Sequence, residues 1–290
     1  MPKLRPDLTF TLPWAMIFHL PFAEQVKTAQ AVGFQELSLQ PHFMADCTRA
    51  GLKLKDMKKM AEDAGVRIGR IDPLCTWVPD WRDHNFGDEY NLLTTLDPTL
   101  FLDLSATLGC KYLSVNAMWR PGHYNLDQIA AFYRAICDKA APYGISCDIE
   151  PIPMWGIRTL EDTLEIIRRS GAKNGGIVFD VTHFVRGSTP MSVLENTPGH
   201  LIHCVQLCDG LMPAKYSLEE ECFSRLWPGE GAFPIPEIVR VLDRIGGLHG
   251  VGPEVFSPVF VREKTPGSVI AQKVDESIAR YPELLAGAGR

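Results

Sequence analysis

Short apolar runs alternate with longer amphipathic stretches along the whole chain, which predicts strands alternating with helices. Eight runs have the length and composition of strands: Leu8–Leu12, Glu36–Leu39, Arg67–Ile71, Tyr112–Asn116, Ile145–Glu150, Ile177–Asp180, His203–Leu207 and Gly252–Val255. Helical spacing is found in seven stretches between them: Phe22–Val32, Leu52–Ala64, Pro98–Leu108, Leu126–Ala141, Thr159–Arg169, Met191–Glu195 and Pro236–Arg244. No linker-like change of composition interrupts the series, so residues 1–290 are predicted to form one domain with a helical tail from about residue 265.

Several of these helices end at a glycine that is followed almost at once by the next strand, as at Gly109, Gly144 and Gly171. Short turns of this kind indicate a parallel α/β sheet, and eight units that close on themselves make a (β/α)8 TIM barrel of about this length. An open, doubly wound sheet is the structural alternative. It usually carries a glycine-rich loop after its first strand, and "TLPWAMIFHLPF" contains no glycine. The barrel is therefore the predicted fold.

Composition limits the functions that this fold could serve. Hydrophobic residues make up 46% of the chain and charged residues 22%, as in ordinary globular proteins. The net charge of −6 provides no basic stripe, so nucleic acid is not an expected partner. No apolar run approaches the roughly 20 residues that span a bilayer, and the first residues do not resemble a signal peptide. Eight scattered cysteines without a C-x-x-C pair are typical of reduced thiols, which predicts a cytoplasmic protein.

Four predicted strands of the second half end in side chains that bind hard cations through oxygen. These are Glu150 in "ISCDIE", Asp180 in "IVFD", Gln206 in "HCVQLCD" and Glu254 in "VGPEVF". Three carboxylates at one barrel mouth repel one another unless a cation compensates their charge. An all-oxygen set suits Mn²⁺, Mg²⁺ or Co²⁺ better than Zn²⁺, and Mn²⁺ is the metal that we expect.

Other polar residues near the strand ends are candidates for binding the substrate. His183 follows Asp180 in a D-x-x-H pattern, and Arg225 and Glu230 lie in the turn-forming "SRLWPGEGAFP" segment. Arg225 would bind substrate oxygens or, equally, pair with the acidic run Glu219–Glu221. Further candidates are Trp14, Asn116 and Arg120. Residue alternation along the seventh strand places His203 on the face opposite Gln206, toward the helices.

All six tryptophans fall just after predicted strands, at the face where barrels carry their active sites. They are Trp14, Trp77, Trp81, Trp119, Trp155 and Trp227. Taken together they predict the walls of one pocket, whereas any single ring could equally cap the barrel core.

Five segments carry a family resemblance: "CDIEPIP", "IVFDVTHF", "VQLCDG", "RLWPGEG" and "PEVFS". In this order and spacing they resemble the xylose isomerase-like barrel superfamily, especially its sugar isomerase/epimerase branch. The resemblance extends from about Leu8 to Ser257 and implies metal ligands at the ends of strands five to eight, which are Glu150, Asp180, Gln206 and Glu254 here. Epimerases of this type usually have histidine where this chain has Gln206, and glutamine is similar to dehydroshikimate dehydratases.

The expected activity is a metal-dependent isomerase or epimerase of a ketose or keto-cyclitol, in carbohydrate metabolism. Glu150 and Glu254 would exchange a proton next to a metal-polarised carbonyl of a small polyhydroxylated substrate. A lyase is the alternative, either a dehydroshikimate- or inosose-type dehydratase or a keto-glycoside eliminase, since elimination begins with the same proton abstraction. A metal-dependent endonuclease and a non-catalytic binding subunit of a larger complex are more distant alternatives, and a homo-oligomer is compatible with the sequence.

Overall fold

A computed structural model describes residues 3–79 and 97–287 of the chain. Its eight described strands form one parallel sheet in the order of the sequence, as the alternation predicts. They are β1 (Thr11–Leu12), β2 (Glu36–Leu39), β3 (Arg67–Leu74), β4 (Tyr112–Asn116), β5 (Ser146–Glu150), β6 (Gly175–Asp180), β7 (Ile202–Leu207) and β8 (Val251–Pro253). A parallel bridge between Phe10 and Val251 brings β8 back beside the first strand, which closes the barrel.

Helices surround the sheet, and the predicted helical stretches recur with shifts of a few residues at their ends. The described helices are α1 (Phe22–Ala31), α2 (Pro41–Arg49), α3 (Leu54–Asp63), α4 (Pro98–Leu108), α5 (Leu126–Ala140), α6 (Leu160–Ser170), α7 (Val181–Arg186), α8 (Met191–Glu195), α9 (Leu218–Cys222), α10 (Ile235–Ile245), α11 (Pro258–Arg262) and α12 (Gly267–Ile278). Within the ranges given above, no helix is long and apolar enough to cross a membrane.

Local sequence signals explain where these helices begin and end. The Asn125 side chain accepts a hydrogen bond from the Gln128 backbone N–H, and the Gln128 side chain accepts one from the Asn125 N–H, which forms a capping box at the start of α5. Gly171 ends α6 with a φ of 61°, a left-handed conformation that favours glycine. After each such helix the chain returns to the amino-terminal end of the next strand. The carboxyl-terminal ends of the strands and the βα loops therefore lie together at the opposite face of the barrel.

The lower part of the barrel holds a buried ion pair rather than only apolar side chains. Arg70 donates to an oxygen of Asp148 at 2.5 Å, and the other oxygen of this carboxylate lies 2.8 Å from Nδ1 of His203. The expectation that His203 faces the helices is therefore wrong. The register between β6 and β7 shifts next to Ile177, so simple alternation fails at His203. Gly176 on β6 lies between β5, which carries Asp148, and β7, which carries His203. A β-carbon at Gly176 would collide with both of these side chains.

Candidate metal centre

The strand ends bring the four predicted metal ligands to one level of the barrel mouth. Glu150 and Asp180 are the last residues of β5 and β6, Gln206 is paired in register with Asp180, and Glu254 follows β8 directly. All four side chains are buried. Buried carboxylates are costly without a compensating charge, so their convergence needs an explanation beyond packing.

Three side chains lie close enough together to bind a single ion. One ligand atom each from Glu150, Asp180 and His183 can be chosen so that all three lie within 4.8 Å of one another. Nε2 of His183 is 3.5 Å from Oε1 of Glu150, and the backbone N–H of His183 donates to Asp180 at 3.1 Å as α7 begins. His183, which the sequence suggested as a substrate contact, therefore lies among the candidate ligands, and Gln206 and Glu254 lie beside this group.

Arg225 occupies a place in the centre that the sequence did not indicate. Its Nη1 donates to Asp180 at 2.6 Å and to Oε2 of Glu254 at 2.9 Å, and its Nε donates to the carbonyl of Cys222 at 3.0 Å. The alternative that Arg225 pairs with the acidic run is wrong. The backbone N–H of Arg225 is bonded to the carbonyl of Phe256, and this contact directs the side chain inward beside the end of β8.

Two buried amide oxygens at the centre have no hydrogen-bond partner in the described part of the chain. The Gln206 amide group donates to Oε1 of Glu254 at 2.7 Å, and the Asn116 amide group donates to Oε2 of Glu150 at 3.1 Å. Both amide nitrogens are thus used, whereas Oε1 of Gln206 and Oδ1 of Asn116 are unpaired. Orphaned buried acceptors next to carboxylates fit a site for a cation or for hydroxyl donors of a ligand.

Asp72 belongs to this group, although sequence analysis did not select it. Burial and the nearby Glu150 raise the pKa of Asp72 from 3.8 to about 7, although Arg70 and a hydrogen bond from Trp14 lower it. Trp14 Nε1 donates to the Asp72 carboxylate at 3.1 Å. The available signal was an acidic residue near the end of the third predicted strand, in "RIDP".

Burial and neighbouring charges shift the pKa values of Asp180 and Glu254 in opposite directions. For Asp180, burial favours the neutral acid, but Arg225 and His183 outweigh this effect and hold its pKa below the ordinary range. For Glu254, burial dominates, and with the charges of Asp180 and Glu150 it outweighs Arg225, so its pKa is raised well above the ordinary value. A divalent cation at these oxygens would compete with a proton for Glu254.

The remaining predicted contacts are dispersed. Trp14 and Asn116 adjoin the centre through Asp72 and Glu150. Glu230 is partly exposed and accepts from Lys273 on α12 at 3.3 Å, and Arg120 is exposed beyond the end of β4. The structure does not bring these two side chains into the buried centre.

The prediction of one pocket walled by six tryptophans is wrong for several of them. Trp77 and Trp119 pack against each other in the core with ring centroids 5.2 Å apart, and Trp227 packs against Phe260. Trp14 and Trp155 do line a pocket of about 950 Å³ outside the centre. Trp81 lies outside the described residues. The βα turns thus direct some rings inward to cap the barrel.

Curated relatives include two kinds of named enzyme. An inosose isomerase of Bacillus velezensis is 26% identical over 168 residues, which are 56% of this chain and 59% of that protein. A 3-dehydroshikimate dehydratase of Pseudomonas aeruginosa is 22% identical over 249 residues, 85% of this chain and 38% of that protein. The chain thus spans less than two thirds of the length of these curated relatives, 59% of one and 38% of the other.

Solved structures extend the likeness of fold to nearly the whole chain. The crystal structure of the IolI protein with a bound zinc atom superposes with a TM-score of 0.79 at 17% identity, covering 94% of this chain and 97% of that one. The family profile of the xylose isomerase-like TIM barrel matches residues 26–274. The chain therefore belongs to the xylose isomerase-like TIM barrel family.

Proposed function

We propose that the protein is a divalent-metal-dependent isomerase or epimerase that acts on a ketose or keto-cyclitol. The observation that carries this proposal is the buried cluster of Glu150, Asp180 and His183. Beside it, the Asn116 and Gln206 amides bond to Glu150 and Glu254, and their two amide oxygens have no donor among the described residues. The named relatives, an inosose isomerase and a dehydroshikimate dehydratase, support a polyhydroxylated carbonyl compound as the substrate.

Glu150, Asp180, Gln206 and Glu254 would hold the metal, and His183 would complete or support the set. A divalent ion bound there supplies polarisation of a substrate carbonyl, which acidifies the adjacent C–H bond. Mn²⁺ is the ion that we propose, with Mg²⁺ or Co²⁺ as alternatives, because oxygen atoms predominate in this set. The imidazole of His183 makes Zn²⁺ a necessary comparison in any metal test.

Glu150 and Glu254 are the proposed acid and base. One carboxylate would take the proton from the carbon next to the carbonyl, and the other would return a proton to the substrate. Return to the former carbonyl carbon, with transfer of the hydroxyl proton to the carbonyl oxygen, gives the isomer, whereas return to the same carbon from the opposite face gives the epimer. Asn116 orients Glu150 and the Gln206 amide group orients Glu254, so the two carboxylates keep distinct positions.

A lyase is the second candidate, and the specific observation in its favour is Gln206. Glutamine at this position is similar to dehydroshikimate dehydratases, and here its amide donates to Glu254, one of the two proposed acid/base residues. In a lyase, the proton removed from carbon would be followed by loss of a hydroxyl or alkoxyl group from the neighbouring carbon, and the acid form of the second carboxylate would protonate that group as it leaves.

The eight cysteines are all free thiols, which supports a reducing, cytoplasmic location for this chemistry.

Incubation in deuterium oxide with a panel of ketoses, inososes and dehydroshikimate tests the proposal. We expect metal-dependent exchange of a carbon-bound hydrogen with recovery of an isomeric product. A new conjugated carbonyl absorbance in the ultraviolet would assign the lyase instead. Absence of both signals in the Mn²⁺-loaded protein would contradict the proposed function.

A further inference from the structure

A large pocket adjoins the candidate metal centre without including its ligands. It has a volume of about 950 Å³, and none of Glu150, Asp180, Gln206 and Glu254 is among the described residues that line it. Two of its lining residues contact side chains of the centre. Trp14 donates to Asp72, and the Phe256 ring centroid lies 4.9 Å from the guanidinium carbon of Arg225. The pocket is therefore additional space next to the reacting group.

Aromatic rings form a fixed wall of this pocket. Trp14 contacts Phe18 and Phe256 edge to face, with centroids 5.9 and 5.3 Å apart, and Phe223 contacts Phe256 in the same way at 5.6 Å. Trp14 is held further by the bond from its backbone N–H to Ser38 Oγ at 2.9 Å. Phe18 and Phe223 nevertheless remain 36% and 40% exposed. Preorganised apolar surface that is open to solvent at a pocket is typical of a ligand-binding site.

The charged side chains among the described residues that line the pocket disfavour anions. Glu219 and Glu220 line it, and no lysine, arginine or histidine is found among its described lining residues. Arg225 lies directly below Phe256, but its guanidinium is already bonded to Asp180 and Glu254. A phosphate or carboxylate in the pocket would meet two acidic side chains and a cation whose charge is already compensated.

We propose that this aromatic pocket binds an apolar, preferably aromatic, substituent of an uncharged sugar derivative. The sugar itself would reach the metal centre, and the substituent would cover Phe18, Phe223 and Trp14. Only the placement of the sugar at the metal centre rests on the proposed function; the binding of the substituent in the aromatic pocket does not. The pocket volume is near the upper end of the roughly 300–1,000 Å³ of ligand pockets, far more than the remainder of one sugar ring needs. The substrate class that follows is a neutral conjugate of a keto sugar rather than a free sugar phosphate or a carboxylated cyclitol; the glucosides used below as binding probes share its ring and substituent but not its carbonyl.

Calorimetric titration with matched glucosides tests the proposal. The probes are phenyl β-D-glucopyranoside, methyl β-D-glucopyranoside and phenyl β-D-glucopyranoside 6-phosphate, each titrated into Mn²⁺-loaded and into chelator-treated protein. We expect the phenyl glucoside to bind at least tenfold more tightly than the methyl glucoside, and the phosphate to lose this gain. Phe18→Ala and Phe223→Ala should each reduce the phenyl preference at least threefold.

Tyr143→Ala is the matched control, because Tyr143 is as exposed as Phe18 but lies in the turn before β5, at the other end of the barrel. This variant should keep the full preference. Equal binding of phenyl and methyl glucosides, no binding of any phenyl glucoside, or tightest binding of the phosphate would overturn the proposal. A parallel Mn²⁺ titration separates the two claims: a phenyl preference without Mn²⁺ binding would leave the pocket assigned and the metal chemistry refuted, and the reverse result would refute only the pocket.

Discussion

Arg225 donates a hydrogen bond of 2.6 Å to the carboxylate of Asp180, although the two residues are 45 positions apart in the chain. The guanidinium also reaches Glu254, so two of the four predicted metal ligands share one buried cation. A metal ion that binds both carboxylates would have to share them with Arg225. The arginine therefore compensates the charge of these two carboxylates, and we expect it to compete with any metal ion that binds them.

Replacement of Arg225 by methionine should destabilise the metal-free protein, because it leaves two buried carboxylates without their partner. The expected loss is about 3–5 kcal/mol in the free energy of unfolding, and saturating Mn²⁺ should recover a large part of it. Urea unfolding with and without Mn²⁺ measures both quantities. Arg225→Lys keeps the charge and should lose less, and Arg262→Met, at an exposed pair with Glu263, is the control. Equal losses with and without Mn²⁺ would show that Arg225 and the metal do not share ligands.

Glu150→Gln and Glu254→Gln should each lower turnover by roughly 10²–10⁴-fold, since proton transfer by a positioned carboxylate contributes rate enhancements of this size. Both variants should remain folded, because glutamine has nearly the same shape, but Glu254→Gln should lower the melting temperature more, since its amide group would face the donor of Gln206 or of Arg225. Steady-state kinetics on the substrate found by deuterium exchange provides the measurement. Glu276→Gln on the exposed face of α12 should keep full activity. Unchanged rates in both variants would remove the two carboxylates from the mechanism.

The fold followed from the sequence because each unit carries its own local signals. Strand patterning, capping residues such as Asn125 and terminal glycines such as Gly171 act within a few positions, and the barrel then follows from their repetition. The register shift at His203 could not be predicted in this way, since it depends on which residue of β6 lies opposite.

The candidate centre was predictable to the extent that it depends on strand ends. Glu150, Asp180, Gln206 and Glu254 each lie at, or within one residue of, the end of a recognisable strand, so their convergence follows from the closure of the barrel. Arg225 lies in a long loop, and its inward direction results from one backbone contact with Phe256 that no local pattern encodes. Asp72 was missed because a single carboxylate after a strand is common on protein surfaces, and only the three-dimensional structure shows that it is buried near Glu150.

Asp72 should make the stability of the chelator-treated protein depend on pH. Its pKa is raised from 3.8 to about 7 on folding, so the folded chain binds more protons than the unfolded chain between these values. The stability contributed by the neutral acid is therefore fully present below about pH 4 and is lost as the pH rises through 7. Asp72→Asn should raise the melting temperature more at pH 8 than at pH 4.5. A stabilisation that is the same at both pH values would contradict this account of Asp72.

Gln206→His should retain a metal site, because an imidazole replaces one potential ligand by another, but it should change the balance between isomerisation and elimination. The reason is the loss of the bond from the Gln206 amide to Oε1 of Glu254, which orients the proposed acid. Product ratios from the deuterium exchange assay, together with the stoichiometry of bound Mn²⁺, measure the two effects. Gln206→Glu tests the same position with an oxygen ligand that cannot donate this bond when ionised. Loss of metal with an unchanged product ratio in the residual activity would assign Gln206 as a ligand only.

The most direct test of the metal centre is anomalous X-ray diffraction at the manganese edge from crystals grown with Mn²⁺. We predict one strong peak within bonding distance of Glu150, Asp180 and Glu254 and of the side-chain oxygen of Gln206. Crystals saturated with Mn²⁺ that show no peak among these side chains, or that show the four groups directed away from one another, would contradict this prediction.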